Sequence, residues 1–320
     1  LPDKTDKVFD MEQTFLSLLQ QAASLGEALL PPFLYRALLK LAGRMSYMAY
    51  SRKDLLGQNV DLKGRGRGRR AFLLATGPSL KGVNLRALEG EDCFSLSNFI
   101  LHDDVRAIAP RFHFIASYHP PLVLEEYVRW LRLADERLPP STGIFLSHRT
   151  MDLVQSKDLF SSRTVRYLHM SHADAPFLPV DITRTVMAPQ TGPLMILPVL
   201  FYMQYETIYL LGCDHTTLRD RNKTITHFYD RNLDPRQNAS DGAVWESTLA
   251  DLKAERRVHE QYAGYLRVLQ RGGLTKVVNL STDSWLDIFP FDRLDRVLTS
   301  GAAGRTGAAT GNERRSGGSA

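Results

Sequence analysis

The chain has 320 residues, 43% of them hydrophobic and 23% charged, with a net charge of +5. That mixture excludes a disordered polymer and allows one large or two modest domains around a sizeable core. The positive balance comes partly from 63-KGRGRGRR-70 and Arg314-Arg315, with no basic stripe interleaved with aromatics, so no nucleic-acid partner is expected.

Residues 11–50 repeat apolar positions at three- and four-residue steps (Phe15, Leu18, Leu19, then Leu34, Leu38, Leu39, Leu41), and Pro31-Pro32 separates two helices. This predicts a helical N-terminal segment over 1–62 that packs on the main domain or offers a docking surface. Its acidic, amphipathic start lacks the n-region and h-region of a signal peptide. No uncharged stretch of about 18 apolar residues occurs, so no spanning helix is expected. Residues 63–70 read as a Gly/Arg linker, a solvated connector, with contact to an anionic membrane surface as the alternative.

The main domain is expected over 71–298. Strand-like runs lie at 71–75, 92–96, 112–117, 143–147, 164–168, 207–211 and 275–279, with helical patterns at 121–134, 192–204 and 245–270. Strands alternating with helices predict an α/β fold, a Rossmann-like, mostly parallel sheet flanked by helices, with the N-terminal helices as an appendage. Cys93 and Cys213 sit in apolar, strand-like surroundings. They are too few for a disulfide framework and lack metal-ligand spacing, which fits a reducing, cytoplasmic compartment. From Thr299 the composition of Gly, Ala, Ser, Thr and Arg predicts a disordered tail over 299–320.

Four constellations fall at the carboxyl ends of these strands, where open α/β sheets bind ligands. The first is 76-TGPSL-80, where Gly77 lets backbone approach a phosphate and Pro78-Ser79 opens the next turn. The second is Asn98, which carries donors and acceptors for a base or ribose edge. The third is Gln190-Thr191-Gly192 at the head of an apolar helix, followed by the strand that delivers Gly212, Asp214 and His215. The fourth is 226-THFYDRN-232, a long polar loop offering His227 as a general base, with Tyr229 and Arg231 to hold phosphate oxygens. Tyr118 and His119 follow the third strand and could meet substrate, whereas His102 and His113 read as structural. Asp214, His215 and His227 could also ligate a divalent metal, but their spacing is not diagnostic.

In this order, a strand into GPSL, a strand into SNF, T-G heading an apolar helix and a strand ending in G-x-D resemble the bacterial sialyltransferases of glycosyltransferase family 42. They are equally similar to the related broad family that contains the archaeal 6-hydroxymethylpterin diphosphokinase and many proteins of bacterial surface-polysaccharide and flagellin-glycosylation loci. The strings YLLGCDH, THFYD and 277-VVNLSTDSWLDIFP-290 look most like the polysaccharide-associated branch, and the resemblance covers about residues 70–298. It implies that Gly77, Pro78 and Ser79 border a nucleotide phosphate. Asn98 would meet the nucleotide or donor sugar, Thr191-Gly192 the cytidine monophosphate portion, and Asp214 would organise the pocket. Two tyrosines that the sialyltransferases carry after the G-x-D strand have no counterpart here. Asp214 is followed by His215-Thr216-Thr217, and the nearest tyrosine is Tyr229. Where their base His stands, this chain has Val244-Trp245-Glu246, so His227 is the candidate base.

The implied activity is transfer of a CMP-activated, sialic-acid-like sugar to a glycan or glycolipid acceptor, with no cofactor required. One alternative is pyrophosphoryl transfer from ATP to a hydroxymethylpterin. That reaction would need Mg²⁺, with Asp214 as the best carboxylate and Asp230 and Asp241 as further candidates. The second alternative is a non-catalytic scaffold of polysaccharide assembly. In the scaffold reading the Gly/Arg linker and the N-terminal helices would mediate docking; peripheral contact with the inner face of the membrane and self-association are further expectations.

Overall fold

The computed structural model describes residues 29–119, 122–173, 175–220, 227–236, 247–271 and 275–299. The helical pattern before Leu29, Asp241, Val244–Glu246 and nearly all of the expected tail lie outside these residues.

Eight parallel strands form one sheet in the order β6-β5-β4-β3-β2-β1-β7-β8. They are β1 (Arg70–Leu74), β2 (Asp92–Leu96), β3 (Phe112–Phe114), β4 (Gly143–Ser147), β5 (Val165–Ser171), β6 (Thr185–Met187), β7 (Thr207–Leu211) and β8 (Lys276–Asn279). All seven expected strands are present, and the expected Rossmann-like α/β architecture is what the chain adopts. β6 has only three residues beside a run of polar ones, too short to show a period, and it escaped the sequence reading.

Both faces are covered, so the central strands are apolar throughout rather than alternating. Ala71 and Leu73 of β1 point into one cluster with Phe94, Leu96 and Ile208, while Phe72 and Leu74 point into the other with Cys93, Leu146 and Trp130. The first face is covered by α3 (Pro193–Met203) and α4 (Thr248–Gln270), the second by α2 (Leu124–Arg137) and the short turns after β1 and β2. α3 is buried all round, as its composition demands. Pro193 stands at its first turn, where a missing N–H costs nothing, and Gln204 ends it in the left-handed region at φ 62°. α4 begins where Ser247 Oγ accepts from Ala250 N at 3.0 Å.

The N-terminal helix α1 (Pro32–Ala49) lies against β5 and β6. Gly43 permits this contact, because a Cβ there would fall 2.2 Å from Ser171 Oγ. The Gly/Arg segment is bonded to the base of α3: Gly64 N donates to Tyr202 O at 3.2 Å and Gly66 N to Met203 O at 2.7 Å. Arg67 reaches Gln204, and Arg69 reaches Asp92 at 2.7 Å. Asp92 is itself buried and also accepts from Tyr205 Oη at 2.8 Å. Cys93 and Cys213 are both buried free thiols, each pushed well above its usual pKa by burial.

Candidate active site

Strand order reverses beside β1: β2 to β6 run outward on one side, and β7 and β8 return on the other. At such a switch point the connections leave in opposite directions, so a crevice opens at the carboxyl rim. Leu74 pairs with both Leu211 and Ser95, so the turns after β1, β7 and β2 leave the sheet at one level.

Ala75 N donates to Leu211 O at 2.8 Å and Gly77 N to Gly212 O at 2.9 Å, extending the β1–β7 ladder into the two loops. This close approach requires glycine. A Cβ at Gly77 would lie 2.5 Å from Asp214 Cγ, and one at Gly212, held at φ 71°, would press Leu80 and Ala75. Ser79 donates its N–H to Asp214 Oδ2 at 2.7 Å and its hydroxyl to Asp214 Oδ1. The Asp214 carboxylate therefore caps the single turn Pro78–Leu80 from across the sheet, in the position an anion would take at that turn. Burial pushes the Asp214 pKa up, against the pull of Ser79 and Arg219. Asp220 lies close enough to add to the rise. Its carboxylate is held by Thr216 Oγ1 at 2.5 Å and Arg219 Nε at 2.8 Å.

After β2, Ser97 turns the chain at φ 52° and places Asn98 in a fully buried position. Trp130 Nε1 donates to Asn98 Oδ1 at 2.7 Å. Asn98 Nδ2 donates to Tyr229 Oη at 2.8 Å and Asp234 Oδ2 at 2.6 Å. Arg236 closes the cluster, bonding both oxygens of Asp234 and lying 3.9 Å above the Trp130 ring.

Segment 227–236 thereby folds back over two strand ends. Phe228 N donates to Thr76 O at 3.2 Å, and its ring packs among Phe99 and His102. His227 Nδ1 lies 3.3 Å from the same Thr76 carbonyl. A carbonyl only accepts, so this contact selects the Nδ1–H tautomer, in which Nε2 carries the ring's lone pair. The imidazole stacks on Tyr229 with centroids 5.0 Å apart and planes 4° apart. Gly77–Ser79, Asp214, Asn98, His227 and Tyr229 are thus tied into one rim by direct contacts.

Thr191 and Gly192 head α3, where Gly192 presses on the last residue of β2: a Cβ there would be 2.8 Å from Leu96 Cδ1. Gln261, buried on α4, sets this entry by accepting from Gln190 N at 2.8 Å and donating to Ala188 O at 3.1 Å. His215, at φ 50°, turns toward α4 instead, with Nε2 3.0 Å from Tyr262 Oη. Burial first, then His259, lowers its pKa to about 4. Tyr118 packs edge-on against Tyr127, and His119 is exposed, both after β3 and therefore one strand beyond Asn98. Arg231 opens the turn Arg231–Leu233 in the covering segment. His113 is fully buried against Ser95 Oγ at 2.8 Å, and His102 stacks on Phe99.

Trp130, Asp234, Arg236, Arg219 and Gln261 all shape this rim and were missed by the sequence reading. Gln261 alone left a signal: it is a polar residue beside the apolar stripe Val258, Tyr262 and Tyr265. Among the described residues no three His, Cys, Asp or Glu side chains group to hold a metal ion.

Neither a family model nor a curated protein matches the sequence. Solved structures do. One is the sialyltransferase CstII from Campylobacter jejuni with the analogue CMP-3FNeuAc, at 16% identity over 70% of this chain and 85% of that one, with a TM-score of 0.39. Another is the monofunctional alpha-2,3-sialyltransferase Cst-I from Campylobacter jejuni, at 16% identity over 70% and 80% of the two chains, TM-score 0.40. A third is CST-II with a trisaccharide acceptor and CMP, at 15%, 70% and 85%, TM-score 0.39. At these values the likeness says nothing of individual residues or ligands.

Proposed function

We propose that this chain is a glycosyltransferase. It moves a CMP-activated, sialic-acid-like sugar to a glycan or glycolipid acceptor in surface-polysaccharide synthesis. The supporting observation is His227, fixed in its Nδ1–H tautomer by Thr76 O at the switch-point rim. In this reading the acceptor hydroxyl attacks the anomeric carbon as its proton passes to His227 Nε2. The bond from that carbon to the phosphate oxygen breaks, and the nucleotide departs with the electron pair. Backbone N–H groups at the Thr191-Gly192 head of α3 meet the departing charge. Tyr229 holds the imidazole plane, while Asp214 keeps the Gly77–Ser79 loop rigid rather than meeting the donor. Asn98 can contact the nucleotide once Tyr229 or Asp234 yields its bond.

The pairing of Asp214 with Asp220 favours a second reading, pyrophosphoryl transfer from ATP, in which these carboxylates would hold Mg²⁺. Each is already engaged, by Ser79 or by Thr216 and Arg219, and would have to exchange those bonds. Thermal shift with CMP, CDP, UDP, GDP and ATP, with and without Mg²⁺, separates the readings. A ligand at a hundred times its Kd adds about 2.7 kcal/mol. We expect CMP to raise Tm by roughly 5 °C without metal, and His227→Ala to keep that rise while losing turnover. A rise with ATP and Mg²⁺ alone would favour the kinase. No rise with any nucleotide would leave the scaffold.

A further inference from the structure

Helix α1 carries an apolar stripe that the domain does not cover. Leu34, Leu38, Leu41, Met45 and Met48 are all exposed, and Phe33 and Leu29 beside them are more than 70% exposed. The stripe steps by four, three, four and three residues, which keeps it on one side of the helix. The opposite side, with Tyr35, Gly43 and Tyr47, faces the sheet edge, where Tyr47 Oη donates to Thr183 O at 3.2 Å. The outward orientation is therefore fixed by packing.

Charge on this element has one sign. From Leu29 to Lys53 the chain holds Arg36, Lys40, Arg44, Arg52 and Lys53 and no acidic residue. Lys40 and Arg44 lie along one flank of the stripe, whereas Arg36 falls between Gly43 and Tyr47 on the side that faces the domain. Arg36 reaches Glu260 at 3.8 Å and Arg52 reaches Asp54 at 3.7 Å, both at partly exposed positions where ion pairs exchange readily with water or another anion. A rigidly mounted helix with an outward apolar stripe and a cationic flank has the make-up of an interfacial helix. No helix among the described residues is long and apolar enough to cross a membrane.

We propose that α1 docks the protein on an anionic phospholipid surface, lying along it with the stripe of Leu34, Leu38, Leu41, Met45 and Met48 in the acyl boundary and Lys40 and Arg44 at the headgroups. The charge pattern selects this occupant. A second copy would set two cationic flanks side by side, whereas anionic headgroups match them.

Co-sedimentation of the full chain with vesicles tests the assignment. Binding to equal parts of phosphatidylglycerol and phosphatidylcholine is expected, and binding to phosphatidylcholine alone is expected to be at least roughly tenfold weaker. Arg44→Ala should lower partitioning about fivefold, a loss that added salt masks. Leu38→Glu with Leu41→Glu, both exposed and so tolerated by the fold, should lower it by more than roughly tenfold with an unchanged melt. Equal binding to both vesicle types, or no effect of the double variant, overturns the proposal. So does a dimer in sedimentation equilibrium that the double variant abolishes while vesicles bind neither form. Cross-links from residues 1–28 to α1 that persist with vesicles present would assign the stripe to the chain's own N-terminal segment and overturn it equally.

Discussion

Gly77→Ala is the sharpest test of how the rim is built. The backbone at Gly77, φ −64° and ψ 156°, suits any residue, so glycine serves there only to leave room. The added methyl would meet Asp214 Cγ, Asp214 Oδ2 and Gly212 O, all at 2.5 Å, and two of these belong to a carboxylate already fastened to Ser79. Overpacking costs about 1–3 kcal/mol, and displacing Asp214 forfeits hydrogen bonds to a charged group worth about 1.5–3 kcal/mol. Reduced freedom of the unfolded chain returns only about 0.4–1 kcal/mol. The net loss is about 3 kcal/mol, read as a lower urea midpoint with unchanged slope and a Tm lower by about 6 °C. The CMP-dependent rise in Tm should shrink with it. Gly57→Ala is the control: nothing lies within 4 Å of its added methyl, so it should be neutral or slightly stabilising. A Gly77→Ala midpoint within about 0.5 kcal/mol of wild type would refute the claim that the β1 and β7 turns are locked together.

Asp214→Asn should keep the contact geometry, with Oδ1 accepting from Ser79 N and the amide donating to Ser79 Oγ. Because burial raises the Asp214 pKa, its native state holds the proton longer than the unfolded chain does, and stability falls as pH rises through the raised value. The Asn variant should therefore gain stability relative to wild type at pH 7 and lose that advantage below about pH 4, followed by denaturant melts across pH. His169 behaves oppositely: burial, then Arg149, lowers its pKa to about 4, so the unfolded chain takes the proton first and stability is lost as pH falls below about 6.5. At pH 5 this one group costs about 2 kcal/mol, and His169→Gln should flatten that part of the stability–pH curve. Asn98→Ala leaves Trp130 Nε1 and Asp234 without their buried partner. We expect a loss of about 2–4 kcal/mol and faster tryptic cleavage at Arg231, and unchanged proteolysis would separate the network from the covering segment.

What was legible in the sequence followed distance along the chain. The apolar runs of β1, β2 and β7 and the all-apolar α3 state their burial in consecutive residues, so both elements and layers could be read. Gly77 and Gly212 could be noticed at strand ends, but the reason for each is the other loop. Ser79 and Asp214 are 135 residues apart, and nothing local tells a turn serine that its acceptor lies across the sheet. Asn98 shows the same limit from the other side: an asparagine after a strand suits a ligand edge, a turn or a buried network equally. Only the fold brings Trp130, Tyr229 and Asp234 to it.

The two halves of the rim are held by different means, and this bears on what each can do. Around Asp214 the donors and acceptors are matched inside the protein: Ser79 supplies two hydrogens, and Trp285 N binds the Asp214 carbonyl at 2.8 Å. A group satisfied in this way gains little by turning to a ligand, because each new bond replaces one already made. The head of α3 is different. Its first turn begins with a proline, its cap residue is a glycine without a side chain, and Gln261 bonds residues 188 and 190 on the approach rather than the turn itself. Within that turn Leu194 N already donates to Thr191 O at 3.1 Å and Met195 N to Gly192 O at 2.9 Å, so an anion there would be met by the N–H groups of Thr191 and Gly192. The proposed nucleotide phosphate therefore has more to gain at Thr191-Gly192 than beside Asp214. The Gly77–Ser79 loop is held by Asp214, and His227 is hung from the Thr76 carbonyl beside it.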